Sequence, residues 1–259
     1  MSKAGSSIGV FDSGIGGLSI LSAIRKLLPQ YSYIYLADNA NTPYGDKTAE
    51  EIYVLTKKSV EILFEKGCIL VILACNSASA CALRRLQQEW LPIHYPDRKV
   101  LGILVPTIEQ VTTDTYKSLG ILATKATIAS GAYEREIKKR APDMKLIEQA
   151  CPGLVDLIEE GAPDEEIKEK AAVFVSMLLK KSDHPPDAIL LGCTHYSFKH
   201  QLFAELIPNT IQLFDQPKVV AESLVNYLKR HQEIKQKLRD VASIECIVTG
   251  KKLKKEVIN

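Results

Sequence analysis

No stretch of the 259-residue chain approaches the roughly 18 consecutive apolar residues of a transmembrane helix, so a membrane-spanning protein is not expected. The opening residues Met1 to Ser7 hold one lysine and no apolar segment, so no secretory signal is visible and the expected location is cytoplasmic. A charge excess of either sign is also missing. The 33 basic residues face 31 acidic ones, a formal net charge of +2, without the basic surplus that nucleic-acid binding calls for. The one basic cluster, Lys251, Lys252, Lys254 and Lys255, reads as a solvated tail. None of the six cysteines is paired in a C-x-x-C spacing, which leaves zinc binding and dithiol redox chemistry without support. What remains is a composition of 46% hydrophobic and 25% charged residues, that of a soluble globular chain long enough for one large or two ordinary domains.

Short apolar runs alternate with longer helical stretches, the pattern of an α/β fold with mainly parallel sheets. Strands are expected near Ile8–Phe11, Tyr33–Ala37, Ile69–Ala74, Val100–Leu104, Ser118–Ala123, Lys145–Gln149, Ala188–Leu191 and Ile211–Phe214. Helices are expected over Gly17–Leu28, Ala49–Glu65, Ser77–Glu89, Gly131–Arg140, Glu165–Lys181 and Lys218–Lys229. Trp90–Asp97 holds two prolines and reads as a linker. An internal repeat is also visible. ILVILACNSAS (69–79) is similar to AILLGCTHYS (188–197): an apolar strand, a cysteine, polar residues and a helix. IGVFDSG (8–14) pairs with VLGILVPT (100–107), and IYLADNANTPYG (34–45) with GILATKATIASG (120–131). Two halves of similar plan are expected, each delivering one cysteine to the carboxyl end of a strand, where open parallel sheets bind ligands.

Those cysteines are Cys75 and Cys193. Each stands at a strand-to-helix junction, near unpaired backbone N–H groups that favour a thiolate and can hold a substrate carboxylate. Cys68 and Cys246, in apolar surroundings, read as small buried hydrophobes, and Cys81 as packed on the following helix. Asp12 ends the first strand and reads equally as a partner of a thiol or as a helix cap or turn residue. His195 follows Cys193 closely, and its structural and catalytic readings both stand. Ser13, Gly14, Gly16 and Gly17 form a glycine-rich turn suited to an anion, although no Gly-Lys-Ser/Thr makes it a P-loop. Pro43-Tyr44-Gly45 reads as a turn.

FDSGIGGLS, DNANTPYGDKT, LACNSASA, ATKATIASGAYE, ACPGLVDLIEEG and LGCTHYS occur in this order between Ile8 and about Leu224. In that order and spacing they resemble the glutamate racemase family. The resemblance implies two similar α/β domains related by pseudo-symmetry, with the active site in the cleft between them. It places residues 1–97 with 213–259 in the first domain and 98–212 in the second. It implies glutamate as the substrate, no metal or other cofactor, a homodimer, and D-glutamate supplied to peptidoglycan synthesis. Nucleic acid and membrane are not implied. Cys75 and Cys193 match the two catalytic acid/bases, the first taking the α-proton of D-glutamate and the second that of L-glutamate. Asp12 is implied to assist Cys75, and His195 to assist Cys193. Asp12, Ser13, Tyr44, Gly45, Asn76, Ser77, Thr124, Thr127, Thr194 and His195 match substrate-holding positions.

Two departures stand out. Val105-Pro106 occupies a place where many members carry Glu-Pro, and Asn39 a place where many carry threonine. Three rivals remain: a racemase for another amino acid using the same thiols, a binding protein such as an amino-acid sensor or protein inhibitor, and a nucleotide-binding enzyme built on FDSGIGG. The last lacks the expected acidic ribose partner and phosphate-binding lysine.

Overall fold

The computed structural model describes residues 6–113 and 116–250. The lysine cluster at 251–255 lies outside them. Among the described residues nine strands form two sheets: β1 (Ser7–Asp12), β2 (Tyr33–Ala37), β3 (Cys68–Leu73), β4 (Lys99–Gly102), β5 (Ser118–Ala123), β6 (Lys145–Ala150), β7 (Ala188–Gly192), β8 (Gln212–Phe214) and β9 (Ile244–Val248). The first sheet has the order β4-β3-β1-β2-β9 and the second β6-β5-β7-β8, and every strand pair is parallel. Among the described residues no helix is long and apolar enough to cross a membrane.

Helices on both faces explain why the central strands read as unbroken apolar runs. On β1, Ile8 and Val10 pack to one side with Tyr33, Tyr35, Leu70 and Ile72. Phe11 points the other way, joining Ile34, Leu36, Val71 and Leu73. The first of these faces merges with Leu119, Ile121 and Leu190 of the second sheet into one core shared by both halves. A third cluster fills the far side of the second sheet, where Ile189 and Leu191 meet Ile167 and Phe174 of the helix Asp164–Leu179. Each fully buried side chain of this kind contributes about 1.5–3 kcal/mol.

The sheet order also re-pairs the internal repeat. Order β4-β3-β1-β2 in the first sheet is repeated as β8-β7-β5-β6 in the second. SIGVFD of β1 therefore corresponds to SLGILA of β5, and β3 to β7. The cysteine-bearing pair is as expected, but IGVFDSG does not correspond to VLGILVPT, whose strand is the edge of the first sheet. Sheet membership likewise runs past the expected division: Lys99–Gly102 pairs in the first sheet, and Gln212–Phe214 in the second. The helices that follow those edge strands cross over, Leu104–Thr112 packing on Ala132–Arg140 and Pro217–Arg230 on Leu18–Leu27.

Other local expectations also change. The helix expected over Ser77–Glu89 is broken into Asn76–Cys81, Leu83–Arg85 and a π-turn, Leu86–Trp90. Trp90–Asp97 is not a linker. A short helix, Leu91–His94, places Pro92 in its first turn, where the missing N–H breaks no helical bond. Trp90, 4% exposed, stacks on Phe64 at a centroid distance of 6.3 Å and meets Tyr95 edge-on at 5.1 Å. Cys68 is buried, but Cys246 is only half-buried because β9 is an edge strand. Elsewhere local chemistry matches the pattern, as in Ala49–Glu65, which Thr48 and Glu51 open with a reciprocal capping box.

Candidate active site

Cys75 follows β3 and Cys193 follows β7, so the repeated topology carries both thiols to one cavity between the sheets. The cavity is nearly closed, with a free volume of about 10 Å³, and Cys75 and Cys193 are 5% and 4% exposed. That is far below the roughly 300–1,000 Å³ of ligand-binding pockets, so the walls would have to part to admit even a small metabolite. The larger groove beside Leu18–Leu27 is lined by a single cysteine, Cys246, and by no histidine. The helices after the two thiols are only six and five residues long, so they offer the cavity their unpaired first-turn N–H groups.

The first-half wall carries Ser13, Tyr44, Gly45, Asn76 and Ser77, and the second-half wall Thr124, Thr194 and His195. Pro43 and Val155 complete the lining, and neither was anticipated from sequence. Asp12 and Thr127 stand one layer behind. Ser13 Oγ is 3.5 Å from Cys75 Sγ. Ser77, Thr124 and Thr127 form a buried hydroxyl triangle, with Thr124 Oγ1 2.9 Å from both partners. Tyr44 donates to Asp38 Oδ2 at 2.7 Å, which anchors the turn holding Gly45. Gly45 is needed for close approach: a Cβ there would lie 2.8 Å from Thr124 Cβ.

Asp12 is fully buried. Its carboxylate accepts from Gly14 N–H at 3.0 Å and from Thr194 Oγ1 at 3.3 Å, linking the halves behind the cavity. Burial pushes its pKa up, although the His195 charge and the Gly14 and Gly17 N–H groups oppose this. Asp12 acts on Cys75 through charge and not through a hydrogen bond. Burial, then the Asp12 charge, raise the Cys75 thiol to about 12 against the pull of Ser13 and the Ala78 N–H. At neutral pH Cys75 therefore rests as a thiol.

The second thiol has a different neighbour. His195 Nδ1 is 3.8 Å from Cys193 Sγ, and Nε2 meets Glu159 Oε1 at 2.5 Å. Glu159 Oε1 also accepts from Ile15 N–H at 2.9 Å, tying the second-half helix Leu154–Glu160 to the glycine turn of the first half. Burial alone would lower the His195 imidazole, but its bonds to Cys193 and Glu159 hold it well above its ordinary range. Burial likewise opposes ionisation of Glu159, and the bond to His195 overcomes it, leaving the carboxyl below its ordinary range. The pair is thus an imidazolium against a carboxylate, with Nδ1 positioned to exchange a proton with Cys193.

Residues 18–224 match the Asp/Glu/Hydantoin racemase family. The chain belongs to this racemase family. It is 44% identical over 236 residues to glutamate racemase from Roseobacter denitrificans, covering 87% of this chain and 86% of that one. The glutamate racemase of Paracoccus denitrificans is 45% identical over 240 residues, covering 88% and 86%. Among solved structures, a glutamate racemase from Francisella tularensis in complex with D-glutamate superposes with a TM-score of 0.84 at 28% identity, covering 98% of this chain and 92% of that one. A glutamate racemase isoform from Bacillus anthracis gives 0.82 at 26% identity, covering 96% and 90%. The two parallel sheets with flanking helices are therefore the α/β fold of glutamate racemase structures.

Two residues beside the racemase site escaped the sequence reading. Glu159 sits inside ACPGLVDLIEEG, but Asp156 and Glu160 share its helical turns and nothing in the string singles it out. Gln216 lies in an unremarked polar loop, yet is fully buried against Asn76.

Proposed function

We propose that this protein is an isomerase that interconverts L- and D-glutamate by a two-base proton transfer between Cys75 and Cys193, without a cofactor. The observation that carries the reading is that the two thiols end corresponding strands of a repeated fold and line one small cavity from opposite halves. Racemisation needs a proton removed from one face of Cα and another delivered to the opposite face. Two fixed groups on opposite sides do this without moving across the substrate. One sulfur starts as thiolate and takes the Cα proton, while the other starts as thiol and gives its proton to the opposite face. Bonds and charge balance over the turnover, and the sulfurs exchange states.

The thiol partners fit this division. The His195 imidazolium can donate its Nδ1 proton toward Cys193, with Glu159 balancing its charge. Asp12 and burial keep Cys75 protonated until substrate arrives, and the ammonium of a bound amino acid would favour its ionisation. Hydroxyl and N–H donors from Ser13, Asn76, Ser77 and Thr194 are placed to stabilise charge developing at the substrate. Each such donor contributes about 2.7–4 kcal/mol by analogy with oxyanion holes. In the cell this activity would supply D-glutamate for peptidoglycan.

The test is incubation of purified, metal-free protein with L-glutamate in deuterated water, followed by circular dichroism and mass spectrometry. Loss of optical activity with deuterium at Cα of the D-product is expected. No exchange with glutamate, or equal turnover of aspartate, would overturn the assignment of substrate.

A further inference from the structure

Behind the Cys75 wall lies a buried amide whose role the two-thiol scheme does not explain. Gln216 ends the crossover from β8 and precedes the helix Pro217–Arg230, is fully buried, and does not line the cavity. Its carboxamide joins Asn76, beside the first thiol, to Thr107 of the helix Leu104–Thr112 and, more distantly, to Tyr133 of Ala132–Arg140.

The polarity of this network can be worked out from one end. Thr107 Oγ1 donates its single hydrogen to the Ile103 carbonyl at 2.7 Å, so toward Gln216 it can only accept. That turns Gln216 Nε2 toward Thr107, at 3.2 Å, and Oε1 toward Asn76 Nδ2, at 2.6 Å. Gln216 Nε2 also returns a bond to Asn76 Oδ1 at 3.1 Å, and the Tyr133 hydroxyl donates to that same oxygen at 2.9 Å. Both lone-pair directions of Asn76 Oδ1 are then occupied, and so is one of its two N–H bonds. A single N–H donor is what Asn76 retains for the cavity that it lines.

We propose that Gln216 is a positioning residue that locks the Asn76 amide with its N–H, and not its carbonyl, toward a carboxylate of the substrate. The proposal rests on the amino-acid racemase reading above. Freed from Gln216, the Asn76 amide can turn over and present an oxygen to the substrate's negative charge. A carboxylate stays charged before and during proton transfer, so the lost interaction falls mainly on binding.

The experiment compares the wild type with Gln216→Leu, Thr107→Val, Asn76→Ala and the Asn76→Ala/Gln216→Leu double variant. Each is measured for kcat, KM, calorimetric affinity for D-glutamate, and melting temperature. Gln216→Leu is expected to raise KM and Kd about tenfold, the size of one weakened charge-assisted hydrogen bond, with kcat changed less than about threefold. Thr107→Val should move KM in the same direction by less, because it removes the group that sets the Gln216 polarity. The double variant should bind no worse than Asn76→Ala alone, since Gln216 acts through Asn76. An unchanged KM in folded Gln216→Leu, or additive losses in the double variant, would overturn the proposal while the wild type still racemises glutamate. Should Gln216→Leu fail to fold, a normal KM in folded Thr107→Val overturns it. A wild type that neither binds nor racemises glutamate overturns the functional reading and this proposal together.

Discussion

Replacing Glu159 by glutamine tests the charge relay behind the second thiol with little change of shape. The amide oxygen can still accept from Ile15 N–H, so the tie between the glycine turn and the helix Leu154–Glu160 is retained. What disappears is the negative charge against His195 Nε2. Without it only Cys193 is left to oppose burial, and the imidazole falls from its raised position. Nδ1 then loses its ready proton at neutral pH, and the proton traffic with Cys193 slows. A hydrogen bond to a charged group is worth about 1.5–3 kcal/mol, so kcat/KM should fall roughly 10- to 150-fold. Because mirror-image substrates have equal free energies, the loss must be the same in the L-to-D and D-to-L directions. Circular dichroism with each enantiomer, over a pH series, measures both rates, and the limb assigned to His195 should move to lower pH. A folded Glu159→Gln protein with kcat/KM within twofold of wild type would refute the relay.

Three further outcomes follow from the same geometry. Cys75→Ser and Cys193→Ser should each keep the fold and lower racemisation by about 10²–10⁴, the range of a lost general acid/base. Near-normal turnover in either variant would end the two-thiol assignment. Gly14→Ala should be folded but impaired like Glu159→Gln, because the new Cβ would stand 1.9 Å from Glu159 Oε1 and must push that carboxylate off His195. Unchanged kinetics would show that Glu159 can relocate without cost. The His195–Glu159 pair also leaves a mark on stability. His195 is raised above its unfolded value of 6.5, so its contribution is complete below that pH and is lost as pH rises through the folded value. Glu159 is lowered below 4.5, so its contribution is present above that pH and is lost as pH falls through the folded value. Urea unfolding should therefore show the largest wild-type advantage over Glu159→Gln near about pH 5.5, shrinking in more acid and in strongly alkaline solution. A difference that does not vary with pH would contradict the charged pair.

The strands that carry the site were legible because burial on both faces leaves an unmistakable apolar run, as in Cys68–Leu73 and Ala188–Gly192. Edge strands lack that pressure. Ile244–Val248 carries Glu245 and a half-exposed Cys246, so nothing in its composition separated it from a loop. Leu104–Thr112 was hidden by Pro106, which lies in the helix's first turn, where proline is tolerated. The repeat was visible through its cysteines alone. Short apolar strands resemble one another whatever their place, and only the thiol-bearing pair had a marker that fixed its register. The two thiols and their adjacent polar residues could be read for the same reason: strand-end position is a local property. Glu159 and Gln216 reach the site through tertiary packing, from a helix 33 to 39 positions before Cys193 and from the loop after β8, and no local pattern reports that.

Under the two-thiol proposal the repeated topology would give two-sided access to one carbon, and the chemistry would depend on where the repeat is broken. Aligning SIGVFD with SLGILA sets Asp12 against Ala123, and aligning the two cysteines sets Ser77 against His195. The first half thus has an acid beside its thiol and no imidazole, and the second has an imidazole and no acid at the matching place. Burial, with the Asp12 charge adding to it, raises the Cys75 thiol to about 12 and holds its proton, whereas Cys193 faces the imidazolium of His195. Under the two-thiol proposal the sulfurs start in opposite protonation states, and unlike surroundings favour that. Asp12 joins the two sides, because its carboxylate receives the hydroxyl of Thr194 from across the cleft. The asymmetric charges are therefore held in one connected network, and separating the halves would weaken the difference between the thiols together with the walls of the cavity.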